Sequence, residues 1–138
     1  MTSGWPDTTG RRVATVTLVV RDYDEARDWY LERMGFSVLE DVKLGGGKRW
    51  LVISPPGGQG ARLLLAKADG ADQEARIGDQ AGGRVFLFVE TDDFDRDHSL
   101  MLSRGVVFRE EPRREPYGTV AVFEDLYGNL FDLIAPRR

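Results

Sequence analysis

Apolar and polar positions alternate over residues 12–20, with Ala14, Val16, Leu18 and Val20 on one side and Val13, Thr15, Thr17 and Val19 on the other. That period of two predicts a buried strand. Asp22, with Glu25 three residues on, has the pattern of a capping box. Ala26, Trp29, Tyr30, Arg33 and Met34 then recur at helical spacing until Gly35, which reads as a C-cap. Three more strands are predicted over 36–43, 49–54 and 62–67, punctuated by Gly45-Gly46-Gly47 and by Pro55-Pro56-Gly57-Gly58. The pattern lapses over 68–83, a small, polar, Gly-rich linker with at most a short helix near 73–76. A strand over 84–90 restores it. Asp92 caps a helix over 94–104, Gly105 stops that helix, and a strand follows over 106–110. Residues 112–116 read as a charged loop. The segment T-V-A-V-F-E-D-L-Y-G-N-L-F-D-L-I over 119–134 is a hairpin that turns at 125–129.

The two halves repeat. Val19/Val89, Asp22/Asp92, Gly35/Gly105, Trp50/Val120, Val52/Val122 and Gly58/Gly128 each lie 70 positions apart. Each half is strand-helix-strand-strand-strand, and such a repeat governs the choice of fold. A tail over 1–11 with no signal-peptide character is expected, then one domain over 12–138. Within it, module one spans 12–67, the linker 68–83 and module two 84–135.

Composition narrows the chemistry. The chain has 138 residues, 41% hydrophobic and 30% charged, which is the balance of a single globular domain. It has no cysteine, so disulfides, thiolate metal sites and thiol nucleophiles are excluded. His98 is its one histidine, which removes multi-histidine zinc sites and the two-histidine facial triad. A net charge of −4 without a basic stripe argues against nucleic acid. No apolar run reaches the roughly 18 residues needed to cross a bilayer, so a cytoplasmic protein without a membrane partner is expected.

The segments T-L-V-V-R-D-Y-D-E-A-R-D-W-Y-L-E-R-M-G-F over 17–36 and V-F-E-D-L-Y-G-N-L-F-D-L-I over 122–134, with 83–93 between them, resemble the vicinal-oxygen-chelate superfamily. That superfamily contains glyoxalase I, bleomycin-resistance proteins and extradiol dioxygenases. The resemblance runs from about Arg12 to Ala135. It implies an α+β fold of two βαβββ modules whose curved mixed sheets form a cup, usually in a homodimer, with the ligand or metal inside. The ligand positions of the metal-dependent members then fall on Thr15, Leu64, Arg84 and Asp132. Only Asp132 is a first-rank ligand, and arginine does not give up its proton to coordinate a cation. The resemblance therefore implies no metal and no cofactor.

The same matching puts Thr15, Thr17, Val19, Arg62, Leu64, Ala66, Arg84, Phe86, Phe88, Leu130, Asp132 and Ile134 on the cup face. Val16, Leu18, Val20, Leu63, Leu65, Val85, Leu87, Val89, Phe131 and Leu133 back the sheets against the helices. Arg84, Asp132, Thr15, Thr17, Trp50, Leu64, Phe86, Phe88 and Tyr117 are the candidate ligand-binding residues. Arg84 and Asp132 are expected to form an ion pair whose guanidinium also suits an anionic ligand. Glu124 and Asp125 are adjacent on a strand and point to opposite faces, so no catalytic carboxylate pair is expected; Asp125 shapes the turn. His98 reads as a boundary residue. The expected function is metal-independent binding of a small organic molecule. The alternatives are a lyase or dioxygenase of the glyoxalase type with a non-standard metal site, such as His98 with Glu124, and a non-catalytic partner protein.

Overall fold

The first alternating run forms β1, Thr15–Val20, and the capped segment forms α1, Tyr23–Met34. The computed structural model describes Gly4, Pro6 and residues 10–137, so most of the expected tail over 1–11 lies outside the described residues. Asp22 starts α1 by accepting the Glu25 N–H at 2.9 Å, and Gly35 ends it at φ 70°, where a Cβ would be strained. β2, Ser37–Gly45, and β3, Lys48–Ser54, are joined across Gly46-Gly47. Those glycines have φ 61° and 80°, the left-handed pair that a two-residue hairpin turn requires. β4, Arg62–Lys67, returns beside β1 in parallel.

The linker carries a short helix, α2, Ala71–Glu74. Module two then repeats the plan with β5, Val85–Glu90; α3, Phe94–Ser103; β6, Arg113–Glu115; β7, Gly118–Glu124; and β8, Leu130–Pro136. The sheets have the matching orders β1-β4-β3-β2 and β5-β8-β7-β6.

Three expectations shift. The cap of α3 is Asp93, whose side chain accepts the Arg96 N–H; Asp92 instead pairs with Arg96 at 2.8 Å. The caps thus lie 71 positions apart, not 70. The β5 ladder carries a bulge between Val85 and Leu87, which re-faces the strand's start. The third shift concerns 106–110, which forms no strand beyond an isolated bridge, Phe108 to Phe123, and the strand forms at 113–115 instead. There the Glu110 side chain accepts the Val122 N–H at 2.9 Å, and Pro112, which has no N–H to donate, separates the two segments.

One apolar cluster joins both modules. Leu18, Leu65, Leu51 and Ile53 from the first sheet, Phe123, Phe131 and Leu133 from the second, Tyr30 from α1 and Met101 from α3 are all buried in it. A polar latch runs alongside. Asp125 is buried, and its Oδ1 accepts the N–H groups of Tyr127 and Asn129, each at 2.9 Å. Its Oδ2 accepts the Tyr30 hydroxyl at 2.7 Å and Asn129 Nδ2 at 2.9 Å. Asn129 Oδ1 then accepts the Gln80 N–H, and Gln80 Oε1 accepts the Val19 N–H, each at 3.2 Å. The latch ties the β7–β8 turn to α1, the linker and β1. Asp125 shapes its turn as expected, and also satisfies a buried tyrosine from the other module. Among the described residues no helix is long and apolar enough to cross a membrane.

Candidate ligand-binding site

Each sheet has one face packed on the shared core and one open face. On the second sheet, ladder register decides which residues share the open face with Asp132. Its direct partners are Phe88 on β5 and Val122 on β7. Two residues along, Glu90 pairs with Ile134, and Ile134 with Val120. Val120 in turn pairs with Arg113 on β6. Val120 is fully buried yet lies outside the shared core cluster, as expected of a residue covered by the Arg113 side chain on the open face. Phe88 is 63% exposed, an unusual state for a phenylalanine in mid-strand.

Asp132 is only 8% exposed, and its Oδ1 is buried without a hydrogen-bond partner. Burial holds its carboxyl above the usual carboxylate range; the Arg113 charge opposes that shift and Glu110 adds to it. Arg113 is already engaged, donating through Nε to Glu110 at 2.8 Å and through Nη1 to Glu115 at 2.7 Å. Burial pushes the Glu110 carboxyl up, but the Arg113 and Val122 donors outweigh it and hold the group below its ordinary value. The guanidinium whose charge acts on Asp132 therefore serves two other acids, and Asp132 Oδ1 is left without a partner.

The expected Arg84–Asp132 ion pair does not form. Arg84 precedes β5, with its N–H donating to the Ala81 carbonyl in a turn, and is exposed there. Val85 is level with Leu130, so Arg84 falls short of Asp132 along the strand. Phe86 also leaves the open face: the bulge sends its ring edge-on against Phe131 at 6.1 Å, into the core. Val85 takes up register with Leu130, on the face where Phe86 was expected. On the first sheet Thr17 pairs with Leu64, while Thr15 pairs with Arg62. Trp50 lies on the open side two residues from Val52, half-exposed, and donates Nε1–H to Glu40 at 3.2 Å. Tyr117 is exposed at the β6–β7 turn. Thr17 and Leu64 thus meet, as do Phe88 and Asp132, on separate sheets.

Glu110 and Arg113 were not anticipated as neighbours of Asp132, nor Glu115 as a partner of Arg113. The alternation of Arg113 and Glu115 ahead of Tyr117-Gly118 was the available signal of a short strand. His98 stacks on Phe94 at 5.4 Å and meets Phe108 edge-on at 4.5 Å, a boundary packing role.

A divalent metal does not fit this donor set. The equivalent ladder pairs of the two modules, Thr17 with Leu64 and Phe88 with Asp132, supply one carboxylate between them, and hard cations take several oxygen ligands. Among the described residues, no group of three or more His, Cys, Asp or Glu side chains could hold a metal ion.

Two clefts lie between the modules, along the edge strand that carries Phe88 and Glu90. One, of about 510 Å³, is lined by the core-facing Val16, Leu63, Leu87 and Phe131, and also by Phe88 and Glu90, under the Pro55–Gly58 loop. The other, of about 500 Å³, shares Phe36, Pro55 and Val89 and is rimmed by Arg33, Arg96 and Arg104.

The two-module fold and the sequence agree on a family. Residues 12–133 match the pattern of the Glyoxalase/Bleomycin resistance protein/Dioxygenase superfamily, and the chain belongs to it. An uncharacterized protein of Shewanella frigidimarina (strain NCIMB 400) is 53% identical over 123 residues, which cover 88% of this chain and 91% of that protein. The crystal structure of UcmS2 is similar with a TM-score of 0.78 at 29% identity, covering 91% of this chain and 98% of that one. TnmS3, an antibiotic binding protein from Streptomyces sp. CB03234, is similar with a TM-score of 0.73 at 30% identity, covering 92% of this chain and 97% of that one.

Proposed function

We propose that the chain binds a small organic molecule on the open face that carries Asp132 and Phe88, without the family's metal. The observation that carries this reading is the buried, unpaired Asp132 Oδ1 beside an exposed aromatic ring. A buried polar atom without a partner costs about 1–3 kcal/mol, and an exposed ring adds to that cost; a ligand that fills the site relieves both. The likeness to TnmS3, an antibiotic binding protein, supports the same class of activity.

A second copy of the chain closes the site in this reading. β2 is exposed along its whole length, and Val42, Leu44 and Leu39 present apolar side chains there. An apolar rim of this kind favours a protein contact. Light scattering on the purified protein should give twice the monomer mass; a monomer at all concentrations contradicts the dimer.

Thermal melting with a panel of small aromatic compounds tests the binding reading. Hits should raise Tm equally with and without EDTA. A panel without hits, or hits that require an added divalent metal, would overturn it.

A further inference from the structure

If the open face around Asp132 and Phe88 is the binding site, the charges on it narrow the chemistry of its ligand. The open face of the second sheet carries Glu90, Glu124 and Asp132, with Glu110 and Glu115 bonded to it through Arg113. Five carboxylates thus face two guanidiniums, since Arg109 pairs with Glu124 at 3.4 Å and Arg113 with Glu110 and Glu115. Both cations are engaged by acids other than Asp132. The buried oxygen of Asp132 has no partner among the described residues, and so lacks the donor that buried acceptors ordinarily have. The face has an excess of negative charge and an empty acceptor. It also has, in Phe88, an aromatic ring in direct register with that acceptor.

We infer that the ligand presents a protonated amine to Asp132, with its flat apolar body against Phe88. An ammonium supplies the missing donor and the missing positive charge together. It also gains from an aromatic face nearby, which a neutral hydroxyl does only weakly. A carboxylate ligand would meet the acidic field and leave Asp132 unpaired. The internal repeat supports the same assignment, because module one has Leu64 where module two has Asp132, each paired with a valine on the neighbouring strand. The apolar residue is thus compatible with the fold, and the acid adds what only a donor-bearing ligand uses.

The probes are 1-naphthylmethylamine, 1-naphthalenemethanol and 1-naphthoic acid, which share one ring system and differ in charge. Each is titrated calorimetrically into the full-length protein at pH 7, and into Asp132→Asn and Phe88→Leu. The amine should bind at least about tenfold more tightly than the alcohol or the acid. Asp132→Asn should remove that preference while leaving the alcohol within about threefold, and Phe88→Leu should weaken amine and alcohol alike. Circular dichroism establishes that both variants are folded. Equal binding of amine and alcohol, or amine binding unchanged in Asp132→Asn, overturns the amine assignment while leaving the binding reading intact. No heat from any probe also overturns it. In that event a compound panel without hits would overturn the binding reading separately.

Discussion

Tyr30→Phe removes one oxygen from the latch that joins the two modules. Tyr30 is fully buried on α1, and its hydroxyl donates at 2.7 Å to Asp125 Oδ2, 95 residues away. The phenyl ring keeps its contacts with Phe36 and Phe131 at 5.4 and 6.3 Å, so the change isolates the hydrogen bond from the packing. A hydrogen bond to a charged group contributes about 1.5–3 kcal/mol. Asp125 Oδ2 keeps Asn129 Nδ2 as a donor, so the carboxylate is not orphaned and the lower half of that range applies, about 1.5–2 kcal/mol. For a domain of this size that corresponds to a fall in Tm of roughly 5–8 °C. Urea denaturation at pH 7 should give a lower midpoint at unchanged m-value. The pH dependence carries a sign. Burial, then the Asp125 charge, holds the Tyr30 phenol well above its ordinary value, so the folded state favours the neutral form. Its stabilising contribution is complete below about pH 10 and is lost as pH rises beyond that. The gap between wild type and Tyr30→Phe should therefore narrow in strong alkali. A midpoint unchanged to within error at pH 7 would refute the latch.

Asp132→Leu copies module one into module two and should raise stability at pH 7 by about 1–3 kcal/mol, read as a higher Tm, while abolishing amine binding. Because burial raises the folded-state pKa of Asp132, the penalty of its charge grows as pH rises through that pKa, and wild type should approach the variant as pH falls. A variant less stable than wild type at pH 7 contradicts the unpaired carboxylate. Gly78→Ala should destabilise by about 2 kcal/mol or more, because residue 78 has φ 76° and a Cβ there would sit 2.2 Å from the Tyr127 carbonyl oxygen. A neutral effect in thermal melting would mean that the linker does not pack on the β7–β8 turn.

The sequence shows the modules well because their signals are local. Asp22 and Gly35 bound α1 through contacts three and five residues away, and the Asp125–Asn129 turn announces the last hairpin. Finer placement failed where a single residue decides it. A repeat offset of 70 instead of 71 moved a cap from Asp93 to Asp92. The β5 bulge exchanged Val85 for Phe86 on the open face, since each one-residue slip reverses a strand's side chains. Arg84 fails to pair with Asp132 for a different reason: the ladder sets Phe88 opposite Asp132, and Arg84 lies four residues before Phe88, ahead of the strand. Glu110, Arg113 and Glu115 were hidden differently. Their segment is too short, at three residues of strand, and too charged to stand out as a strand, and its pairing is set by β7. The latch joins residues 49 to 95 positions apart, and no local period reports such a contact.

The most direct test of the central claim is where a ligand sits. A crystal structure with a hit from the compound panel should place the molecule against Phe88, with a donor within hydrogen-bond distance of Asp132. A molecule seated instead in the cleft lined by Val16, Leu63 and Phe131, with Asp132 still unpaired, would contradict it.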